Sequence, residues 1–273
     1  MKGMMKKTLW LVTMVLLTGV LFFAINSRTD KYSDVVFGGV DGTFVSGDQA
    51  SFSAANVQST PEPTPDIWPK IDINESRLYS IISEDNTLSS AYDPDISLIP
   101  GNNVMFATDA MPYLEAMIQA AKDAGFTVYI HKAYVTYSYQ NRIFNSAAWG
   151  IAVEMGIDDY NDPEYQKAAE KAKKSVKAAG TDEHQLGYAI DLMDKHYTYL
   201  NYENMNQDFY EWLDAHCADY GFIKRFPTKK LLITGWDEPW HYRYVGVEAA
   251  KFIMEQGICL EEFYAHYDSE YKY

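Results

Sequence analysis

The stretch TDEHQLGYAIDLM, Thr181–Met193, sets a histidine and an aspartate seven positions apart around a single glycine. Ile190 and Leu192 flank Asp191, so the segment reads as a strand with the acid on one face and apolar side chains on the other. An unpaired carboxylate carried into a core is costly, so something on that face must compensate the charge. The candidate partner lies in GWDEPWHYRYVG, Gly235–Gly246, where Glu238 precedes His241 by three positions. Pro239 excludes a regular helix interior there, which places the pair in a turn entering a strand.

Together His184, Asp191 and His241 offer two imidazoles and one carboxylate. That is the protein share of a catalytic zinc site, which keeps a further position for water. Such an ion retains net positive charge and polarises water and a carbonyl. Glu238, beside the open position without coordinating, could take a proton from water and hand it to a leaving amine. His131, His196, His216 and His266 lack such company and read as surface or packing histidines. Spacing alone reaches a candidate zinc hydrolase and goes no further; a plain turn into a buried strand stays open.

Outward from these motifs, the 273-residue chain carries 38 acidic against 23 basic side chains, a formal charge of −15. That balance argues against a nucleic-acid partner and against adsorption to anionic lipid or wall polymers by charge. Lys2, Lys6 and Lys7 precede an uncharged run, Thr8 to Ile25. Residues 1–26 therefore read as a signal-anchor with the rest exported, or as a cleaved signal peptide. A Ser/Thr/Pro-rich stretch over 27–69 reads as a flexible tether, and 70–273 as the folded domain. Cys217 and Cys259 lack CxxC spacing and read as two buried thiols, a disulfide being the alternative.

Within the domain, TDAMPYLEAMIQAAKDAG has Thr108 or Asp109 as cap, a stripe of Met111, Leu114, Ile118 and Ala121, and Gly125 as stop. FTVYIH alternates as a strand, and YSYQNRIFNSAA restarts a helix. DPEYQKAAEKAKKSVKAAG reads as a helix from the Asp162 cap to Gly180, its lysines a solvated face. NQDFYEWLDAHCADYG is helical, FIKRF and WHYRYVG are strands, and VEAAKFIMEQG is a closing helix. Mixed without regular alternation, these elements give an α+β fold: a compact single domain with a small antiparallel or mixed sheet flanked by helices, the metal donors at the sheet.

EHQLGYAID followed by ITGWDEPWHYRYVG resembles the two signatures of VanY-type D-alanyl-D-alanine carboxypeptidases, SxHxxGxAxD and then ExxH. AYVTYSYQNRIFN resembles that family's YRSYxxQ segment, and ADYGFIKRFP and GICLEEF match its usual surroundings. The likeness runs from about Ile71 to the C-terminus in the family's order. It implies a zinc metallopeptidase with one Zn2+ on His184, Asp191 and His241, and Glu238 as general base. Tyr134, Gln140, Asp182 and Trp240 would face substrate, a peptidoglycan stem peptide ending in D-Ala-D-Ala. The apolar N-terminal run, and not the resemblance, is what would tether the domain outside the membrane, or leave it secreted if cleaved, and a monomer is expected. Two positions depart: Val135 stands where the family has arginine, and Asp182 where it has serine. A cation lost and an anion gained make the site less hospitable to a free carboxylate, with His131 or Lys132 as candidate substitutes for the arginine. A related cell-wall endopeptidase and a zinc-retaining wall-binding module are the alternatives.

Overall fold

A computed structural model describes residues 67–74 and 77–273. The expected anchor over 1–26, and the tether up to residue 66, lie outside the described residues. Among the described residues no helix is long and apolar enough to cross a membrane. In chain order the elements are β1 (Ile96–Leu98), β2 (Met105–Ala107), α1 (Met111–Asp123), β3 (Tyr129–Lys132), α2 (Tyr137–Glu154), α3 (Tyr165–Ala172) and β4 (Ala189–Met193). Then follow α4 (Gln207–His216), β5 (Phe222–Phe226), α5 (Leu231–Thr234), β6 (Glu238–Tyr244), α6 (Val247–Gln256) and α7 (Leu260–Tyr267).

The main sheet has the order β3–β4–β6–β5, with every neighbour antiparallel. This is the expected α+β architecture, with the sheet antiparallel rather than mixed. All of β4 is buried, Asp191 included, because helices and loops cover both of its faces. Ile190 and Leu192 join a core with Phe106, Phe222, Phe209 and Leu213, closed by the Met111, Leu114, Met117 and Ala121 stripe of α1. On the other side α6 and α7 pack Ala249, Ala250, Ile253, Leu260 and Phe263 against Ile73, Tyr79 and Ile81. The unit these cores build begins at Trp68, whose ring stacks on His266 at 3.7 Å between centroids.

Several local expectations shift. Helix α1 starts at an Ala110 cap with Pro112 in its first turn. Thr108 instead donates its hydroxyl to Asp95, and Asp109 accepts one from Tyr188. Helix α3 ends at Ala172, eight residues before the expected Gly180. Ser175 turns its hydroxyl onto the Ala172 carbonyl, the local bond by which serine competes with a helix. The hairpin β1–β2 was not expected from the sequence, its strands being three residues each. Cys217 and Cys259 are free and buried, Cys259 capping a separate helix, α7.

Candidate metal centre

Sheet register brings the donors together. Asp191 on β4 stands directly across from His241 on β6, and across from Lys132 on β3. His184 arrives from a 3-10 turn, Glu183–Leu186, that Asp182 caps by accepting the His184 N–H. Gly187 closes that turn at φ +90, where an added Cβ would meet Ile96 at 3.0 Å. Its carbonyl accepts from Ala107 N–H on β2, so the hairpin pins the turn beside the sheet.

His184 Nε2 lies 3.2 Å, and His241 Nδ1 3.1 Å, from Asp191 Oδ1. The three residues are 2 %, 1 % and 5 % exposed for His184, His241 and Asp191, so solvent does not compensate them. Asp191 Oδ1 accepts no hydrogen bond despite this burial. Three donor atoms converging without bonding one another is what a cation between them requires. Bonds near 2 Å at tetrahedral angles set ligand atoms about 3.3 Å apart; the two distances to Asp191 Oδ1 are close to that, and all three donors lie within 4.8 Å of one another. The donor set therefore fits zinc. Burial by itself would raise the Asp191 carboxyl, but the adjoining His184 and His241 imidazoles outweigh it and hold it well below the usual carboxylate range. Against burial, Asp191 and Glu183 push the His241 imidazole up to about 9.

Glu238 opens β6 and turns Oε2 toward the same edge, 3.4 Å from His241 Nδ1. The sequence placed it in a turn before the strand; Pro239 is accommodated as the second residue of β6 itself. Lys177 Nζ donates to Glu238 Oε2 at 2.8 Å and lies 4.3 Å and 4.5 Å from the ring centroids of Phe226 and Trp236. A helix running on to Gly180 would put Lys177 on a solvated face; because the helix ends at Ala172, Lys177 lies in a loop with its side chain largely buried.

Behind His241 lies a buried network. Glu183 Oε1 bonds His241 Nε2 at 2.8 Å, while its Oε2 accepts from Arg225 and Arg243, each at 3.0 Å. Arg225 also forks onto Glu261 of α7, and Arg243 reaches the carbonyls of Arg77 and Leu78. The Glu183 carboxyl, raised by burial, is pulled far below its ordinary value by the two guanidiniums. Nothing in the sequence distinguished Glu183 from an ordinary surface glutamate.

The residues expected to face substrate are placed differently from one another. Asp182 is 1 % exposed and paired with Lys132 at 2.5 Å, so its charge is spent inside the protein. Gln140 is buried and donates to the Lys177 carbonyl at 2.6 Å. Tyr134 and Trp240 are half-buried, Trp240 against the main core. Val135 is buried and apolar, His131 is exposed, and Lys132 is the cation that Asp182 already holds.

A family profile described as "VanY: D-alanyl-D-alanine carboxypeptidase" matches residues 103–247, a span holding all three donors and Glu238. The chain belongs to the VanY family. A D-alanyl-D-alanine carboxypeptidase of Enterococcus faecalis is 33 % identical over 186 residues, 67 % of this chain. The match spans 64 % of that relative's length, less than two thirds. A crystal structure of a vancomycin-resistance D,D-pentapeptidase VanY variant in complex with Zn(II) aligns at TM-score 0.56 and 31 % identity, covering 68 % of this chain and 98 % of that one. A VanY-type structure in complex with D-alanine-D-alanine aligns equally, at TM-score 0.56 and 31 % identity over 68 % of this chain and 97 % of that one.

Proposed function

We propose that this VanY-family chain is a zinc-dependent D,D-carboxypeptidase that removes the terminal D-alanine from peptidoglycan stem peptides outside the cytoplasmic membrane. The observation that carries the reading is the convergence of His184 Nε2, Asp191 Oδ1 and His241 Nδ1, with Glu238 Oε2 3.4 Å from His241 Nδ1. A zinc ion held by these three supplies polarisation of water and of the scissile carbonyl. Hydrolysis adds a water oxygen to the carbonyl carbon, breaks the C–N bond and delivers a proton to the departing nitrogen. Glu238 takes that proton from the water at its carboxylate and returns it to the nitrogen. Glu183 fixes His241 by accepting from Nε2, which leaves Nδ1 facing the centre. Every residue named comes from one chain, so a monomer suffices.

The test is the full-length chain, loaded with zinc, on defined muropeptides ending in D-Ala-D-Ala, with products read by mass. Loss of one alanine is the expected outcome. Internal cleavage identifies an endopeptidase, and inactivity with zinc bound identifies a wall-binding module. Glu238→Gln lowers turnover by at least about a hundredfold while the protein still holds about one zinc. Near wild-type turnover in that variant removes Glu238 from the role of base.

A further inference from the structure

A free C-terminal carboxylate calls for a cation close to the group that protonates the departing nitrogen. In a peptide with a free C-terminus the carboxylate is one carbon away from the scissile nitrogen. The group that binds it must therefore neighbour the group that protonates that nitrogen. Glu238 is that second group in the reading above, on which this inference rests, and Lys177 Nζ is 2.8 Å from its Oε2. The other cations around the centre are committed elsewhere: Lys132 to Asp182, and Arg225 and Arg243 to Glu183. Val135, at the position where the resemblance has arginine, contributes no charge.

The loop holds Lys177 in place. Gln140 of α2 grips its carbonyl, and Gly180 is tied by its N–H to Gln185 and by its carbonyl to Leu88 N–H. The ammonium is clasped between the Phe226 and Trp236 rings, an arrangement that favours a cation electrostatically. Its side chain is 10 % exposed; the cavity it lines with Thr181, Phe226 and Trp236 includes neither the three donors nor Glu238, so the link to the centre is the 2.8 Å contact with Glu238. One of its three N–H donors is used on Glu238, leaving the others for a ligand.

We propose that Lys177 is the specificity-determining cation of the site, its ammonium receiving the free C-terminal carboxylate of the peptide. Substrate choice then depends on a residue outside the recognised motifs. Aspartate at 182 is tolerated because Lys132 neutralises it, so it does not repel the substrate.

The experiment compares zinc-loaded full-length wild type, Lys177→Met and Lys177→Arg on paired D-Ala-D-Ala peptides, one with a free carboxylate and one a C-terminal carboxamide. Steady-state kinetics and calorimetric binding are both measured. Wild type is expected to favour the acid. In Lys177→Met the acid-to-amide ratio of KM and of Kd rises roughly 10- to 100-fold, the loss of one charge-assisted hydrogen bond to the carboxylate. Lys177→Arg restores the preference, and zinc content is the same in all three. A fall in kcat that is equal on both peptides, with the acid preference intact, overturns the proposal and leaves Lys177 holding only Glu238. Absence of hydrolysis by every form refutes the carboxypeptidase reading instead, and the calorimetric preference then decides Lys177 alone.

Discussion

Glu183 adjoins His184 in sequence but serves His241, and the geometry explains why. A carboxylate accepting from His241 Nε2 fixes which ring nitrogen carries the proton and aims Nδ1 at the centre. The same carboxylate compensates the charge of two guanidiniums that are 2 % and 0 % exposed, so removing it leaves buried charge unpaired. Glu183→Gln is therefore expected to cost about 3–5 kcal/mol in chemical denaturation. Zinc affinity, read by competition with a chelator, should fall about 10- to 100-fold. An unchanged zinc affinity would reduce Glu183 to a purely structural counter-ion. The donors themselves were legible as residue types in the sequence, whereas Glu183 and Lys177 were not. Both are ordinary surface residue types whose burial depends on partners 42 to 61 positions away.

The elements decide whether those side chains meet. Asp191 and His241 share a register position on β4 and β6, and a slip of one residue turns one of them to the opposite face. His184 joins them only because Gly187 reverses the chain at a positive φ with Ile96 packed against it. Gly187→Ala must pay for a left-handed backbone and for contact with the hairpin. The expected loss is about 1–2 kcal/mol or more, seen as a lower Tm, with weaker zinc binding as His184 shifts from Asp191. Retention of wild-type zinc affinity would show that the turn is not what places His184. Alternation and turn residues made β3 to β6 readable. The β1–β2 hairpin has too few residues to show a period, although Pro100, Gly101 and Asn102 mark its turn. The lysine-rich stretch after Ala172 has helical composition but is not helical, and the bond from Gln140 to Lys177 that holds the loop is tertiary.

At the scale of the whole molecule, the protein has buried a set of charges rather than a purely apolar core behind the sheet. Asp182 and Glu183 are both held below the ordinary carboxylate range: burial raises each, and Lys132 for the first and the two arginines for the second outweigh it. A depressed folded-state value contributes stability that is complete above the unfolded value, about 4, and is lost as pH falls through the folded one. The metal-free protein should thus hold its stability at neutral pH and lose it progressively below about pH 5, measured as denaturant midpoint against pH. A midpoint flat down to pH 3 would contradict the assigned network.

By itself the sequence determined the α+β class and most of the strands, because periodicity and turn residues are local properties of the chain, and through its motif resemblance it offered His184, Asp191, His241 and Glu238 as candidates. The tertiary structure alone decided that Asp182 is neutralised by Lys132, that Glu183 backs His241 and that Lys177 reaches Glu238. Those pairings follow from strand register and loop closure, which bring distant residues within the few ångströms over which buried charges act strongly on one another.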